Sequence, residues 1–267
     1  MVLKEQAIGV FDSGVGGLSV LTHIHARLPQ ESLLYVADSA FMPYGCKPDE
    51  LVKKRCMDLA AFFAEQSCKA LVVACNTATA VAIHQLRECY DFPIIGMEPA
   101  VKPAVAQSRS GVVGVLATTG TLGSAKFQRL KQRFAATAQL IIQPCPGLVE
   151  EIETGDLDGQ RIRSMLYLFL QPLMQQRVDT LVLGCTHYPF IAPLIREILG
   201  EDIAIIDSGD AVACELQRQL QKRQLLSYGG AREDVAVEFW RSGDDHDLPA
   251  VMSRLWGGLI SPKQLSF

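Results

Sequence analysis

The chain is poor in the features that would place it in several large classes of protein. Its formal net charge is only −4, from 25 Lys and Arg against 29 Asp and Glu, and no long Lys/Arg block occurs. Nothing in that balance draws the chain to nucleic acid. No stretch of about 18 charge-free apolar residues is present, so no membrane-spanning helix is expected. The opening Met1–Asp12 lacks an extended apolar core with basic flanks, so no secretory signal is expected and the cytoplasm is the expected location. There is no C-x-x-C pair, which argues against zinc ribbons and thioredoxin-type redox sites. No Gly-Lys-Ser/Thr follows the first glycine-rich turn, so a nucleotide phosphate loop lacks support.

What the chain has is 267 residues, 49% of them apolar, enough for a sizeable core and more in keeping with two domains than one. It also has eight cysteines, Cys46, Cys56, Cys68, Cys75, Cys89, Cys145, Cys185 and Cys214. A disulfide framework does not suit a chain this large without an export signal, so most are expected as buried small apolar residues. Two are set apart by a repeat. Leu71-Val-Val-Ala-Cys75-Asn-Thr77 and Leu181-Val-Leu-Gly-Cys185-Thr-His187 are each an apolar run that ends at a cysteine and passes at once into polar residues.

The repeat extends along the chain. Strands are expected near 8–11, 33–37, 70–74 and 93–96, with helices after the first and over 48–66 and 77–90, the last capped by Asn76 or Thr77. The pattern restarts near 98–111. Strands then fall near 111–117, 138–143, 179–183 and 203–206, with helices around Phe127, at 147–154, 159–176, 189–199 and 209–223. A late strand at 234–239 and a helix at 247–256 follow. Alternating strands and helices predict parallel sheets with helices on both faces, and ligands at the carboxyl ends of the strands. Asp12, Asp38, Cys75, Thr118 and Cys185 all fall at such ends.

Two thiols at matched ends of two similar halves suit stereoinversion at a carbon, one removing a proton and the other delivering one to the opposite face. A thiol removes protons only as thiolate, so each needs a helix N-terminus or a neighbouring base. Asp12 is the candidate beside Cys75. His187 with a glutamate of 150–153 is the candidate beside Cys185. Asp12 could instead cap the first helix, and Asp38 could be a turn residue. His187 and Cys185 alone do not make a metal site.

Five segments carry a family resemblance: Phe11-Asp-Ser-Gly-Val-Gly-Gly17, Asp38 with Pro43-Tyr-Gly45, Val73-Ala-Cys-Asn-Thr77, Leu116-Ala-Thr118 with Gly120-Thr121, and Leu183-Gly-Cys-Thr-His187. In these the chain resembles the glutamate racemases of the aspartate/glutamate racemase family, enzymes that supply D-glutamate for bacterial peptidoglycan without a cofactor. The resemblance implies two pseudo-symmetric α/β domains, residues 1–97 plus 208–267 and residues 98–207, with the active site in the cleft between them. It implies that Cys75 deprotonates D-glutamate and Cys185 L-glutamate, assisted by Asp12, Asp38, His187 and a glutamate. Glu153 takes the family glutamate's place after Val149, with Glu150 and Glu151 left open. Substrate contacts carried over are Asp12, Ser13, Tyr44, Gly45, Asn76, Thr77, Thr118, Thr121, Thr186 and His187. Neither pyridoxal phosphate nor a metal is implied, and the oligomeric state is left open.

The chain departs from the family in two places. Phe41 stands where many members have a basic residue, and Glu150 follows Val149 where many have proline. The second departure resembles proteobacterial members, some of which need a peptidoglycan precursor as activator. An aspartate racemase, a non-catalytic carboxylate sensor and a Cys75–Cys185 redox switch are the rival readings.

Overall fold

The computed structural model describes residues 2–227 and 235–266. The elements run β1 (Ile8–Asp12), α1 (Leu18–Arg27), β2 (Leu33–Ala37), α2 (Asp49–Glu65), β3 (Ala70–Val73), α3 (Asn76–Cys89), β4 (Ile94–Ile95) and α4 (Val101–Gln107). Next come β5 (Val112–Ala117), α5 (Thr119–Gly123), α6 (Ala125–Phe134), β6 (Gln139–Pro144), α7 (Leu148–Glu153), α8 (Gln160–Met174), β7 (Thr180–Leu183), α9 (Ala192–Leu199) and β8 (Ala204–Ile206). The chain ends with α10 (Gly209–Lys222), β9 (Val237–Arg241), α11 (Leu248–Trp256) and β10 (Lys263–Gln264). Of the expected late strand, Asp234 lies outside the described residues.

Two parallel sheets result. One has the order β10-β9-β2-β1-β3-β4 and the other β6-β5-β7-β8. Strands β1, β2, β3 and β7 are buried at every residue, which explains their unbroken apolar runs: a parallel strand covered on both faces has no polar side to alternate with. In the first sheet, one face packs on α1, α10 and α11 through Leu21, Leu216 and Met252, and the other on α2 and α3 through Leu59, Phe63 and Ile83. In the second sheet, α7, α8 and α9 cover one face through Ile152, Leu170 and Ile195, and α4 and α6 cover the other through Ala104 and Phe127.

The two sheets share a winding order, since β2-β1-β3-β4 and β6-β5-β7-β8 visit their strands in the same sequence. The register matches too. Phe11 pairs with Val73 and Leu116 with Leu183, and just beyond, Ala74 N donates to Phe11 O and Gly184 N to Leu116 O. Cys75 and Cys185 are therefore equivalent positions, as are Ser13 and Thr118. Asp12 has Ala117 as its counterpart. Both thiols fall where the strand order reverses, the place where open α/β sheets leave a crevice.

The structure corrects the expected elements in four places. The helix expected at 189–199 is a tight 3-10 turn, Tyr188–Ile191, followed by α9, with Pro193 fitted into the first turn of α9. Helices α4 and α5 were not expected. Helix α5 is five residues with two glycines, and it exists because Thr118 Oγ1 accepts from Thr121 N at 3.2 Å. Helix α3 is capped not by Asn76 or Thr77 but by Cys75 itself, whose Sγ accepts from Ala78 N at 3.4 Å. Finally, Cys46 and Cys89 are exposed and Cys214 is partly so, while Cys56, Cys68 and Cys145 are buried.

Asp179, just before β7, ties down the turn at 108–111. It accepts from Ser108 Oγ, Arg109 N and Ser110 N, each at 2.7 Å. Partial burial works to raise its pKa, but the bonds from Ser108, Ser110, Thr180 and Arg109 prevail and lower it to about 2. A carboxylate whose folded pKa is depressed contributes stability above its unfolded pKa and loses it as pH falls through the folded value. Asp179→Ala is thus expected to cost about 1–3 kcal/mol at neutral pH in urea denaturation. The deficit should shrink as pH falls through the carboxylate range toward about 2.

Candidate active site

Ser13, Tyr44, Gly45, Asn76, Thr77, Thr118, Thr121, Cys75, Cys185, Thr186 and His187 all line one cavity, so the structure brings together most of the residues singled out from sequence. Pro43, Val149 and Gly184 line it as well and were missed. Asp12, Asp38 and Glu153 stand behind the lining residues. The cavity measures about 20 Å³, room for about one water molecule. That space is smaller than an amino acid.

The thiol of Cys75 donates toward Ser13 Oγ at 3.9 Å, and Ser13 Oγ donates to Asp12 Oδ1 at 3.4 Å. No direct Asp12–Cys75 hydrogen bond occurs among the described residues; the serine stands between them. Asp12 also accepts from Gly17 N at 2.7 Å, at the start of α1, and from Thr186 Oγ1 at 3.2 Å. On the other side, Cys185 Sγ lies 3.6 Å from His187 Nδ1, and His187 Nε2 lies 2.6 Å from Glu153 Oε1. Each thiol thus heads a short relay ending at a carboxylate, through a hydroxyl in one half and an imidazole in the other. Of the three candidate glutamates, Glu153 meets His187, Glu151 pairs with Arg161, and Glu150 is exposed.

Burial is the largest influence on the Cys75 thiol, and with the nearby Asp12 it holds the pKa well above the usual thiol value, only partly offset by Ala78 N–H. Burial also raises Asp12, partly offset by His187. For His187, burial acts to lower the pKa, but its bonds to Cys185 and Glu153 outweigh that and leave it well raised. At neutral pH the imidazole therefore keeps a proton beside Cys185, while Cys75 keeps its own. Of the two thiols only Cys75 stands at a helix start; a 3-10 turn, Tyr188–Ile191, follows Cys185, and His187 is the local cation there instead.

Hydroxyls and backbone bind the halves together at the site. Thr77 Oγ1 lies 3.2 Å from both Thr118 Oγ1 and Thr121 Oγ1, and Val15 N donates to Glu153 Oε1 at 2.8 Å. Both amide atoms of buried Asn76 lack a partner. A buried amide left unpaired costs about 1–3 kcal/mol per group, so a polar group entering the cavity beside Asn76 would be favoured. At Gly16 a Cβ would sit 2.3 Å from His187 Nδ1. Gly16→Ala must therefore push the imidazole off Cys185, and kcat is expected to fall by about 10²-fold, as for loss of a positioned acid–base partner.

Asp38 does not line the cavity. It is fully buried and held by Arg55, Ser242 and Tyr44. Arg55 was missed by sequence reading, although it sits one turn from Val52 and Leu59 on the buried face of α2. A lone cation on an apolar stripe was the available signal. Among the described residues, no group of three or more His, Cys, Asp or Glu is arranged to hold a metal ion, and no helix is long and apolar enough to cross a membrane.

Two doubly wound halves closing on a cavity with a thiol from each define a class of protein, and comparison places the chain in it. Residues 8–216 match the family described as Asp/Glu/Hydantoin racemase, and the chain belongs to that family. A glutamate racemase of Stutzerimonas stutzeri is 58% identical over 251 residues, 94% of each chain. The crystal structure of a glutamate racemase isoform from Bacillus anthracis superposes with a TM-score of 0.86 at 32% identity, covering 99% of this chain and 98% of that one. Escherichia coli glutamate racemase, crystallised with L-glutamate and the activator UDP-MurNAc-Ala, gives a TM-score of 0.84 at 32% identity over 98% of both chains. Within the family the chain stands with the glutamate racemases and is an isomerase of that activity.

Proposed function

We propose that the chain interconverts L- and D-glutamate by proton transfer between two thiols placed on opposite sides of the substrate Cα. The observation that carries this reading is the pair of register-matched cysteines lining one cavity. Cys185, acting as thiolate beside the His187 cation, removes the α-proton of L-glutamate, and Cys75 delivers its own to the opposite face. In the reverse direction Cys75, having given its proton through Ser13 to Asp12, removes the proton of D-glutamate as thiolate, and Cys185 delivers the proton it holds to the opposite face. Glu153 holds His187 in place and balances its charge. The carboxylates of the substrate are received by the backbone amides and hydroxyls at the starts of the helices, with the Asn76 amide completing them. Those donors stabilise the carbanion. Among the described residues lining the cavity there is no lysine to form an imine.

In this reading the chain divides into domains 1–97 plus 208–267 and 98–207, hinged so that the cavity opens. D-glutamate made here would supply peptidoglycan. Reactive thiols suit a reducing compartment, and we assign the enzyme to the cytoplasm. An anionic activator, like that bound by the E. coli enzyme, has a suitable place in the cavity of about 330 Å³ between α3 and α6, lined by Arg87, Lys126, Arg129 and Arg133.

The test is incubation with D-glutamate, and in parallel L-glutamate and D-aspartate, in D₂O, following optical rotation and deuterium at Cα. Racemisation of both glutamate enantiomers with deuterium incorporation is expected. Folded, reduced protein that changes neither signal would sink the reading, and faster turnover of aspartate would reassign the substrate. A UDP-linked muramoyl precursor added to the same assay should stimulate the wild type more than Arg129→Glu.

A further inference from the structure

We propose that Arg55, with Ser242, is a positioning residue for the reaction. The two clamp Asp38 so that it fixes Tyr44, and with it the cavity wall formed by Tyr44 and Gly45. The inference rests on the reading of this cavity as the glutamate site.

Asp38 is packed with donors. Arg55 Nε–H reaches Oδ2 at 2.8 Å and its NH2 reaches Oδ1 at 2.6 Å. Ser242 Oγ donates to Oδ1 at 2.7 Å, and the Tyr44 hydroxyl to Oδ2 at 2.5 Å. A carboxylate has about four acceptor sites, and these bonds fill them. Asp38 therefore has no capacity left for a substrate proton, and it stands behind the cavity wall rather than in it. Its effect reaches the site through Tyr44.

The segment 39–46 is gripped from several sides by the same cluster. The Arg55 guanidinium lies 4.3 Å from the Phe41 ring centroid, and Ala40 N donates to Ser242 Oγ at 3.1 Å. Tyr44 is buried, and burial together with Asp38 keeps its phenol proton on, committed to the carboxylate. One residue on, Gly45 packs against the opposite half. A Cβ on Gly120 would come 2.7 Å from Gly45 O, a backbone contact with no side chain to give way. The turn is thus a wedge between the halves, braced from behind by the clamp. Lysine cannot replace the guanidinium here, because a point charge does not reproduce a bidentate fork.

The test is a double-mutant cycle on steady-state constants with L- and D-glutamate. Arg55→Lys and Tyr44→Phe are each expected to raise KM about 5- to 20-fold with kcat within about threefold of wild type. The double variant should be no worse than Arg55→Lys alone, because both changes cut one connection. Asp179→Ala, which loosens the fold away from the site, should leave KM unmoved and so controls for stability. KM within about twofold of wild type in Arg55→Lys, or a double variant equal to the product of the singles, overturns the proposal. Should Arg55→Lys fail to fold, Ser242→Ala takes its place in the cycle, with the same two outcomes decisive. A wild type inactive on glutamate would instead remove the underlying reading, and the clamp's catalytic role with it.

Discussion

Cys75→Ala and Cys185→Ala are each expected to lower racemisation by about 10³-fold or more, in both directions, while leaving the fold intact. A positioned acid or base contributes about 10²–10⁴-fold, and in the proposed reaction each thiol serves as base in one direction and acid in the other. No neighbouring group can stand in. Ser13 and His187 share the cavity wall at 3.9 and 3.6 Å from the sulfurs, but a hydroxyl and a protonated imidazole are not bases, and the carboxylates lie a further bond back. Truncation to alanine removes only one sulfur at each site, and at Cys75 the cap of α3 with it, a loss of about 0.5–2 kcal/mol that a folded domain survives. Purified variants followed by circular dichroism, for fold and for turnover, check the prediction. Turnover in either variant within about tenfold of wild type would show that the missing thiol is not an obligatory base.

The largest expected loss of stability lies at the other end of the sheet. Lys69 and Glu31 form an ion pair almost wholly removed from solvent. Lys69 Nζ also donates to Lys4 O at 2.6 Å, and Glu31 accepts from Ser227 N at 2.9 Å. The pair stands at the amino ends of β2 and β3, away from the cavity at their carboxyl ends. Glu31→Ala removes the buried carboxylate that Lys69 faces and is expected to cost about 3–5 kcal/mol in chemical denaturation. The double change Glu31→Leu with Lys69→Met removes both charges and should recover most of that loss. KM and kcat of the folded fraction should not move. A single-variant cost under about 1 kcal/mol, the worth of an exposed pair, would show that water reaches the site freely.

The sequence made the strands legible because parallel strands buried on both faces are written as unbroken apolar runs, while their order within each sheet came only with the fold. The same runs exposed the cysteine pair. Legibility failed where the partner of a residue depends on folding. Helix α7 carries three glutamates within four positions, and successive helical residues point about 100° apart, so only the placement of His187 selects Glu153. Arg55 stood out only as a charge on an apolar face; that it answers Asp38 depends on α2 packing beside the end of β2. Asp12 was expected beside Cys75, and the intervening Ser13 could not be read from two adjacent letters. Helix α5 escaped because two glycines in five residues argue against a helix, and a threonine cap with packing against the 43–46 turn outweighs that.

The unequal relays have a consequence for the catalytic cycle. Enantiomers in water have equal free energy, so kcat/KM must be the same for L- and D-glutamate however different the two halves are. The difference between Ser13 and His187 can therefore appear only in the separate values of kcat and KM and in their pH dependence. It also means that the enzyme releasing one enantiomer is not in the proton state that bound the other. In the proposed two-thiol cycle, one thiol has gained a proton and its partner has lost one. Before the next turnover in the same direction, the empty protein must move a proton from one relay to the other through solvent. In that cycle the silent return involves no glutamate at all, so its rate is the one part of turnover that more substrate does not speed.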